Sequence, residues 1–250
     1  MKIRFRRFFS TDSAKARKAD KFGYSNAINY AAQSDIAGVG NMCSDSSPGC
    51  RSLCLGEHAG RAAISKPGEV SPVMQSRIRK TRFFMSDPQA YINEACHHIE
   101  RLERRAEVLD KLLCVRMNGS TDVPYERLKI QARNRTSIYE VFKHIQFVEY
   151  TKRYERLGNV PDNVHLTFSR SELNELQCRE ALARNFNVAV IFAGTFPTHY
   201  LGYPVIDGRL HDLRHLDPKP VIVGLEPLGQ PAKNDKTGMV VRDAFMHTQS

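Results

Sequence analysis

Several things are missing from this sequence, and each absence narrows the reading. No apolar run in the 250 residues approaches the ~20 residues that a membrane-spanning helix requires. The N-terminus, Met-Lys-Ile-Arg-Phe-Arg-Arg-Phe-Phe-Ser, is basic and aromatic. No apolar stretch or small-residue cleavage site follows it, so it does not read as a secretory signal. Cysteine is sparse: six residues in 250 do not make a disulfide scaffold. In a chain expected in the cytoplasm, clustered cysteines point instead to metal binding or chemistry. Glycine forms no nucleotide fingerprint, with neither G-x-G-x-x-G after a strand nor a Walker loop. The stretch Gly224–Gly229 with Lys233 and Lys236 suits a phosphate or a solvated tail equally well.

Acidic residues are also in deficit. There are 27 Asp and Glu against 37 Lys and Arg, a formal net charge of +10. A surface this basic favours a polyanionic partner, and nucleic acid is the commonest. The basic residues cluster: Arg77, Arg79, Lys80 and Arg82; Arg101, Arg104 and Arg105; Arg127, Lys129, Arg133 and Arg135; Lys152, Arg153 and Arg156. Each cluster is expected to contact phosphates and release counterions.

Residues 1–24 read as a basic N-terminal arm with Phe5, Phe8 and Phe9 as anchors, and residues 25–250 as one α/β domain. Residues 38–72, rich in Gly, Ser, Pro and Cys, form a long loop without a period, a kind of segment that is functional or disordered. Residues 73–85 predict a basic helix. Asp87-Pro88 then opens a long one, with Asp as the cap and Pro in the first turn. Its apolar stripe runs through Tyr91, Ile92, Ala95, Ile99, Leu102, Ala106, Leu109 and Leu113.

Downstream, short apolar runs alternate with helical patterns. The runs are 113–118, 146–150, 164–168, 188–192, 204–206 and 221–225, and 28–32 is a further candidate. Helices are expected at 126–143 and 171–184. Strand, helix, strand at this spacing is the pattern of parallel βα units. The runs are continuous rather than alternating, as strands covered on both faces should be. The expected fold class is therefore α/β, a parallel (β/α) barrel of TIM type, irregular or incomplete because too few strands are legible to close it.

In such folds, sites form where strands end. The strand ends carry Arg116, Asn118 and Asp122; Tyr150 and Lys152; Ser169 and Arg170; and Asp207 and Asp212. Each also has an ordinary use: Asp122 before Val-Pro suits a turn, and Ser171 suits a helix cap. Together they supply the carboxylates, cations and hydroxyls of acid–base or covalent chemistry on a polar substrate. A separate constellation, Cys43, Cys50, Cys54 and His58, has the spacing C-x6-C-x3-C-x3-H. Soft ligands on one loop suit zinc or an iron–sulfur cluster. Unligated thiols are the plain alternative. Cys96, Cys114 and Cys178 lie on apolar faces and are expected in the core, and His97-His98 reads as a surface pair.

The loop Cys43…Cys50…Cys54-Leu55…Ala59-Gly60-Arg61, the strings Val115–Asp122, Glu149–Lys152 and His165–Glu172, and Asp207-Gly208…Asp212-Leu213-Arg214 resemble a group of phage-encoded proteins over roughly residues 25–242. That group is similar to the phage branch of the tRNA-guanine transglycosylase superfamily, the DpdA-type DNA guanine transglycosylases. The resemblance implies an enzyme on a TIM-type barrel that replaces guanine in double-stranded DNA with a 7-deazaguanine base. It implies Asp122 as the acid–base group and Asp207 as the nucleophile, with Asp212 the rival. The superfamily's Asp-Ser-Gly-Gly-Phe-Gln string is absent, and no cysteine follows Cys178 to supply its C-terminal zinc site. The N-terminal cysteine loop would have to replace that site. An iron–sulfur enzyme and a non-catalytic nucleic-acid-binding protein remain the alternatives.

Overall fold

The computed structural model describes residues 5–64 and 69–242. Residues 1–4 of the expected arm and 65–68 of the Cys-rich segment lie outside the described residues. In chain order the elements are α1 (Ala14–Ala19), β1 (Tyr24–Ile28), α2 (Pro48–Ser52), α3 (Leu55–His58), α4 (Pro72–Ser86), α5 (Pro88–Val108) and β2 (Leu112–Arg116). Next come α6 (Ile138–Val141), β3 (Gln146–Thr151), β4 (Val164–Ser169), α7 (Glu175–Ala183), β5 (Val188–Phe192) and β6 (His199–Tyr200). The last are β7 (Tyr203–Asp207), β8 (Ile222–Leu225), α8 (Gln230–Lys233) and β9 (Val240–Val241). They group into two compact units, each built from separate stretches of chain. The first takes the described residues up to Ser44, with Pro72–Glu149 and Val160–His165. The second takes those of Asp45–Ser71, with Tyr150–Asn159 and Leu166 onward.

In the first unit, β1, β2 and β3 pair in parallel, with Ile28 opposite Arg116 and Val115 opposite Phe147. Helix α5 begins as its sequence dictates: the Asp87 side chain accepts from Ala90 N, and Pro88 occupies the first turn, where no N–H is needed. The α5 stripe then buries Tyr91, Ile92, Ala95, Ile99 and Ala106 completely or nearly so, each isoleucine contributing about 1.5–3 kcal/mol by leaving water. The stripe ends early, because Leu109 is half exposed.

Within the first unit the N-terminal segment is packed at Phe8 and Phe9. Phe8 is fully buried, its ring 4.9 Å from that of Tyr91 and 5.7 Å from that of His98. Ser10 forms an antiparallel bridge to Ile28. The helix expected over 126–143 is not continuous. Asn134 and Arg135 have φ of 52° and 56°, left-handed values that stop a helix. An Ile130–Thr136 bridge closes the turn, and Ser137 and Glu140 start the short α6 with a capping box.

In the second unit the strand order is β4, β5, β8, β7, β6, with β9 beside β5. All these pairings are parallel except the β6–β7 hairpin. The architecture is thus mixed α/β with mostly parallel strands, and β5, the most continuous apolar run, has three neighbours. The helix expected from Ser171 starts only at Glu175. The Asn174 amide accepts from Ser171 N at 2.6 Å and donates to Ser169 O at 3.0 Å, closing a turn that helical residues would not allow. The candidate strand at 28–32 lies earlier, at Tyr24–Ile28, and the residues after it form a strand-end loop.

That loop fits against the one following β2. Gly119 N donates to Asn29 O at 2.8 Å, and a Cβ on Gly119 would fall 2.5 Å from that same backbone oxygen and 2.7 Å from the Tyr30 ring. Gly119→Ala is therefore expected to cost about 1–3 kcal/mol of unfolding free energy, the range for overpacking. Urea denaturation measures it, and an unchanged midpoint would contradict the close approach.

Candidate functional site

The loop after β2 belongs to the first unit and is held from below by Glu149. This carboxylate is fully buried near the end of β3 and accepts Met117 N at 2.9 Å, Asn118 N at 3.0 Å and the Tyr139 hydroxyl at 3.3 Å. The Asn118 amide organises the rest. Its Oδ1 accepts from Thr121 Oγ1 and Val123 N, and its Nδ2 donates to Val123 O. Arg116 Nε donates to Asn118 O at 2.9 Å. Asn118 thus acts within the loop, as the member that shapes it, while Asp122 is half-buried with its N–H on Met42 O.

Beneath this loop lies a buried cation. Lys80 Nζ donates to Phe8 O at 2.5 Å, to Asn29 Oδ1 at 3.3 Å and to Tyr30 O at 3.3 Å. The Asn29 amide in turn donates to Tyr91 Oη and Met117 O. Burial, reinforced by Arg77, pulls the Lys80 ammonium down to about 7.

The second unit holds Tyr150, Lys152, Ser169, Arg170, Asp207 and Asp212. Here the two candidate nucleophiles differ. Asp207 is clamped by Arg209: Oδ1 accepts from Arg209 N and Nε, and Oδ2 from Nη2, each at 2.8 Å. Arg209 reaches on to Glu226, and the pair is partly open to solvent. Asp212 is buried, with the Tyr150 hydroxyl 3.3 Å from its Oδ1. Tyr150 itself packs against the apolar group Ala189, Val221 and Val223, which fixes the direction of that hydroxyl.

Asp212 sits within a buried titratable cluster. Arg214 is fully buried and makes an ion pair with Asp217 at 3.2 Å. Its Nη2 donates to His211 O and, at 3.1 Å, to His211 Nδ1. Burial pushes the Asp217 carboxyl up to about 6, with Asp212 adding to the rise and Arg214 opposing it. Burial and His211 bring His215 down to about 4, and burial and Arg214 lower His211.

The strand end after β4 serves as an anchor. Arg170 Nη1 donates to Gly238 O and Met239 O, and Glu172 accepts Ser47 Oγ and Gly49 N, each at 2.7 Å. Glu172 thereby ties α2, and with it Cys50, to the end of β4. A Cβ on Gly49 would lie 2.8 Å from the Glu172 carboxyl carbon and 2.5 Å from Thr237 Oγ1.

Cys43 belongs to the first unit, and Cys50, Cys54 and His58 to the second. Among the described residues, no group of three His, Cys, Asp or Glu side chains is placed to hold a metal ion. Burial pushes the Cys54 thiol up to about 11. Cys96, Cys114 and Cys178 are buried, as their apolar faces implied.

Several basic residues do not face outward as their clusters suggested. Lys80 and Arg156 are buried, and Arg77 lies over the Tyr30 ring. Arg133 pairs with Glu100 and Lys129 with Glu140. Arg79, Arg101, Arg104 and Arg105 are exposed on α4 and α5. Of the His97-His98 pair, His97 is exposed, while His98 packs on Phe8 and bonds Phe5 O.

Of the residues that organise both sites, Glu149, Glu172, Arg214 and Asp217 were given no role from the sequence, and Lys80 read as one member of a basic cluster. Glu149 carried a signal: it is the one charge inside the apolar run of β3.

The Asp217 shift has a measurable consequence. A carboxyl near 6 in the folded protein, against an ordinary 3.8, binds its proton more tightly when folded. Its stabilising contribution is full below about 4 and is lost as pH rises through about 6. Asp217→Asn should therefore flatten the fall in unfolding free energy between pH 4 and 6.5. Parallel curves for variant and wild type in urea titrations would refute the assignment.

No helix among the described residues is long and apolar enough to cross a membrane. No curated protein and no solved structure matches the chain. A family model described as Gene product 88 matches residues 6–243. Among the described residues that span contains every strand and helix and all the strand-end residues discussed above, so the chain belongs to the Gene product 88 family, a family of phage proteins.

Proposed function

We propose that this chain is a base-exchange enzyme acting on double-stranded DNA, replacing guanine with a 7-deazaguanine base, with Asp212 as the nucleophile. The observation that supports Asp212 over Asp207 is the contrast between the two carboxylates. Asp207 is partly open to solvent and clamped by Arg209, whereas Asp212 is buried and accepts the Tyr150 hydroxyl. A carboxylate shielded from water is a stronger nucleophile toward an anomeric carbon than a hydrated one.

In this reading the Asp212 carboxylate attacks C1′ of the target deoxyribose as the bond to guanine breaks. The departing base takes a proton, and the incoming base then displaces the carboxylate from the sugar and loses its own. The target nucleotide must leave the stack to be reached, and the net charge of +10 supports a DNA partner. The fold expected for this chemistry is an irregular parallel (β/α) barrel, working in the cytoplasm of the phage-infected cell.

Incorporation of labelled 7-deazaguanine into duplex DNA, read by nucleoside mass spectrometry, tests the proposal. Asp212→Asn should lose on the order of a thousandfold or more in rate. Asp207→Asn should lose less than about tenfold, since an exposed ion pair is worth up to about 1 kcal/mol. The reverse ranking would return the nucleophile to Asp207, and full activity in both variants would reject the mechanism.

A further inference from the structure

We infer that the outward face of α5, in the first unit, is a contact surface for the sugar–phosphate backbone of double-stranded DNA, with Arg101, Arg104 and Arg105 as its phosphate-binding residues. The inference rests on the double-stranded DNA partner of the base-exchange reading, but not on its chemistry.

The charges of α5 divide by use. Three of its carboxylates are engaged within the first unit. Glu94 accepts Phe5 N at 3.2 Å and lies 3.4 Å from His98 Nε2. Glu100 pairs with Arg133 at 2.5 Å and with His97 at 3.5 Å, and Glu103 pairs with His144. Arg101, Arg104 and Arg105 are exposed, and among the described residues none of their side chains makes an ion pair or a hydrogen bond. Glu107, in the last turn, is the exposed carboxylate of the helix.

This placement does little for the helix itself. Residues four apart on a helix face each other. Arg104 stands four from Glu100, but that carboxylate is turned to Arg133. Arg101 and Arg105 stand four apart with like charge, which is unfavourable. A cation in the last turn suits the helix dipole, and Arg105 alone holds that position.

A rigid helix carrying unneutralised guanidinium groups fits phosphate. Arginine is always charged, and its planar fork matches phosphate oxygens. Positions 101 to 105 span about 6 Å of helix axis. One strand of a duplex carries a phosphate every ~3.4 Å along its axis, so the row covers roughly two successive phosphates.

Other polyanions fit less well. Single strands are held by aromatic side chains on which bases stack. Tyr91, the only Phe, Tyr or Trp of α5, is fully buried. A helix lying on a membrane offers its apolar face to lipid. The apolar stripe of α5, with Tyr91, Ile92, Ala95 and Ile99, is spent on the core of the unit. Val108 and Leu109 are exposed just past the arginines, so lipid is one arm of the test.

Fluorescence anisotropy of a labelled duplex, titrated with the full chain at several salt concentrations, tests the surface. The triple variant Arg101→Gln, Arg104→Gln and Arg105→Gln should bind roughly tenfold more weakly, by a similar factor for unrelated duplex sequences, and its slope of log affinity against log salt should fall by about two. Glutamine is a good helix former and the three sites are exposed, so the fold is kept. The triple change of the same residues to Lys keeps the charge and should stay within about threefold of wild type, with its salt slope unchanged. Arg51→Gln, Arg179→Gln and Lys233→Gln together remove the same charge from the second unit and should cost less than the α5 variant. An unchanged slope in the α5 glutamine variant, or an equal loss in the second-unit variant, overturns the inference. Tighter binding of wild type to single-stranded RNA or to phosphatidylglycerol vesicles than to the duplex also overturns it.

The two readings fail separately. Wild type that binds duplex through α5 and incorporates no base keeps the surface and rejects base exchange. Wild type that incorporates base, while the α5 glutamine variant binds duplex as wild type does, keeps base exchange and rejects the surface.

Discussion

A parallel strand that stops inside a protein leaves backbone groups without neighbours, and something must replace those partners. At the end of β2 the replacement is the Glu149 carboxylate, which accepts the N–H groups of Met117 and Asn118. Each bond to a charged acceptor of this kind is worth about 1.5–3 kcal/mol, and leaving a buried N–H unmade costs about as much. Everything after that point in the loop follows from it. The turn built by Asn118, the close crossing of Gly119 over Asn29 and the position of Asp122 all require the chain to leave β2 in this one direction. Lys80 does the same for β1 from the other side, collecting the carbonyls of Phe8 and Tyr30 and steering the Asn29 amide.

The second unit solves the same problem with different residues. Arg170 collects the carbonyls of Gly238 and Met239, and Asp235 accepts Thr237 N and Val240 N. Glu172 satisfies the start of α2 through Gly49 N. Charged side chains at strand ends are therefore of two kinds. Some are consumed by backbone, and these set the shape of the loops. Others, with Asp212 and His211 foremost, are held by neighbouring side chains in a buried cluster, where the electrostatic consequences are larger because water is excluded.

This division explains how far the sequence could be read. The α/β class, the long α5 with its Asp87-Pro88 start and the positions of the main strands were legible, because continuous apolar runs and capping residues are local signals. The failures were local patterns overruled by contacts. The 126–143 helix was cut by left-handed backbone at Asn134 and Arg135, and the 171–184 helix lost its first turn to the Asn174 amide. Lys80 reads as one member of a basic run, yet it is the one that turns inward, because its position on α4 faces three carbonyl oxygens.

By itself the sequence determined the α/β class, the long α5, the main strands, the excess of positive charge and the list of polar residues at the strand ends. Spacing along the chain is enough for those, since helices and strands are periodic and charge is additive. Only the tertiary structure decided what each strand-end residue does. Asp207 and Asp212 are five positions apart and chemically identical in sequence. One is clamped near the surface by Arg209, while the other is buried and accepts the Tyr150 hydroxyl. A carboxylate's chemistry depends on its dielectric surroundings and on which donors reach it. Those are supplied by residues as distant in sequence as Tyr150.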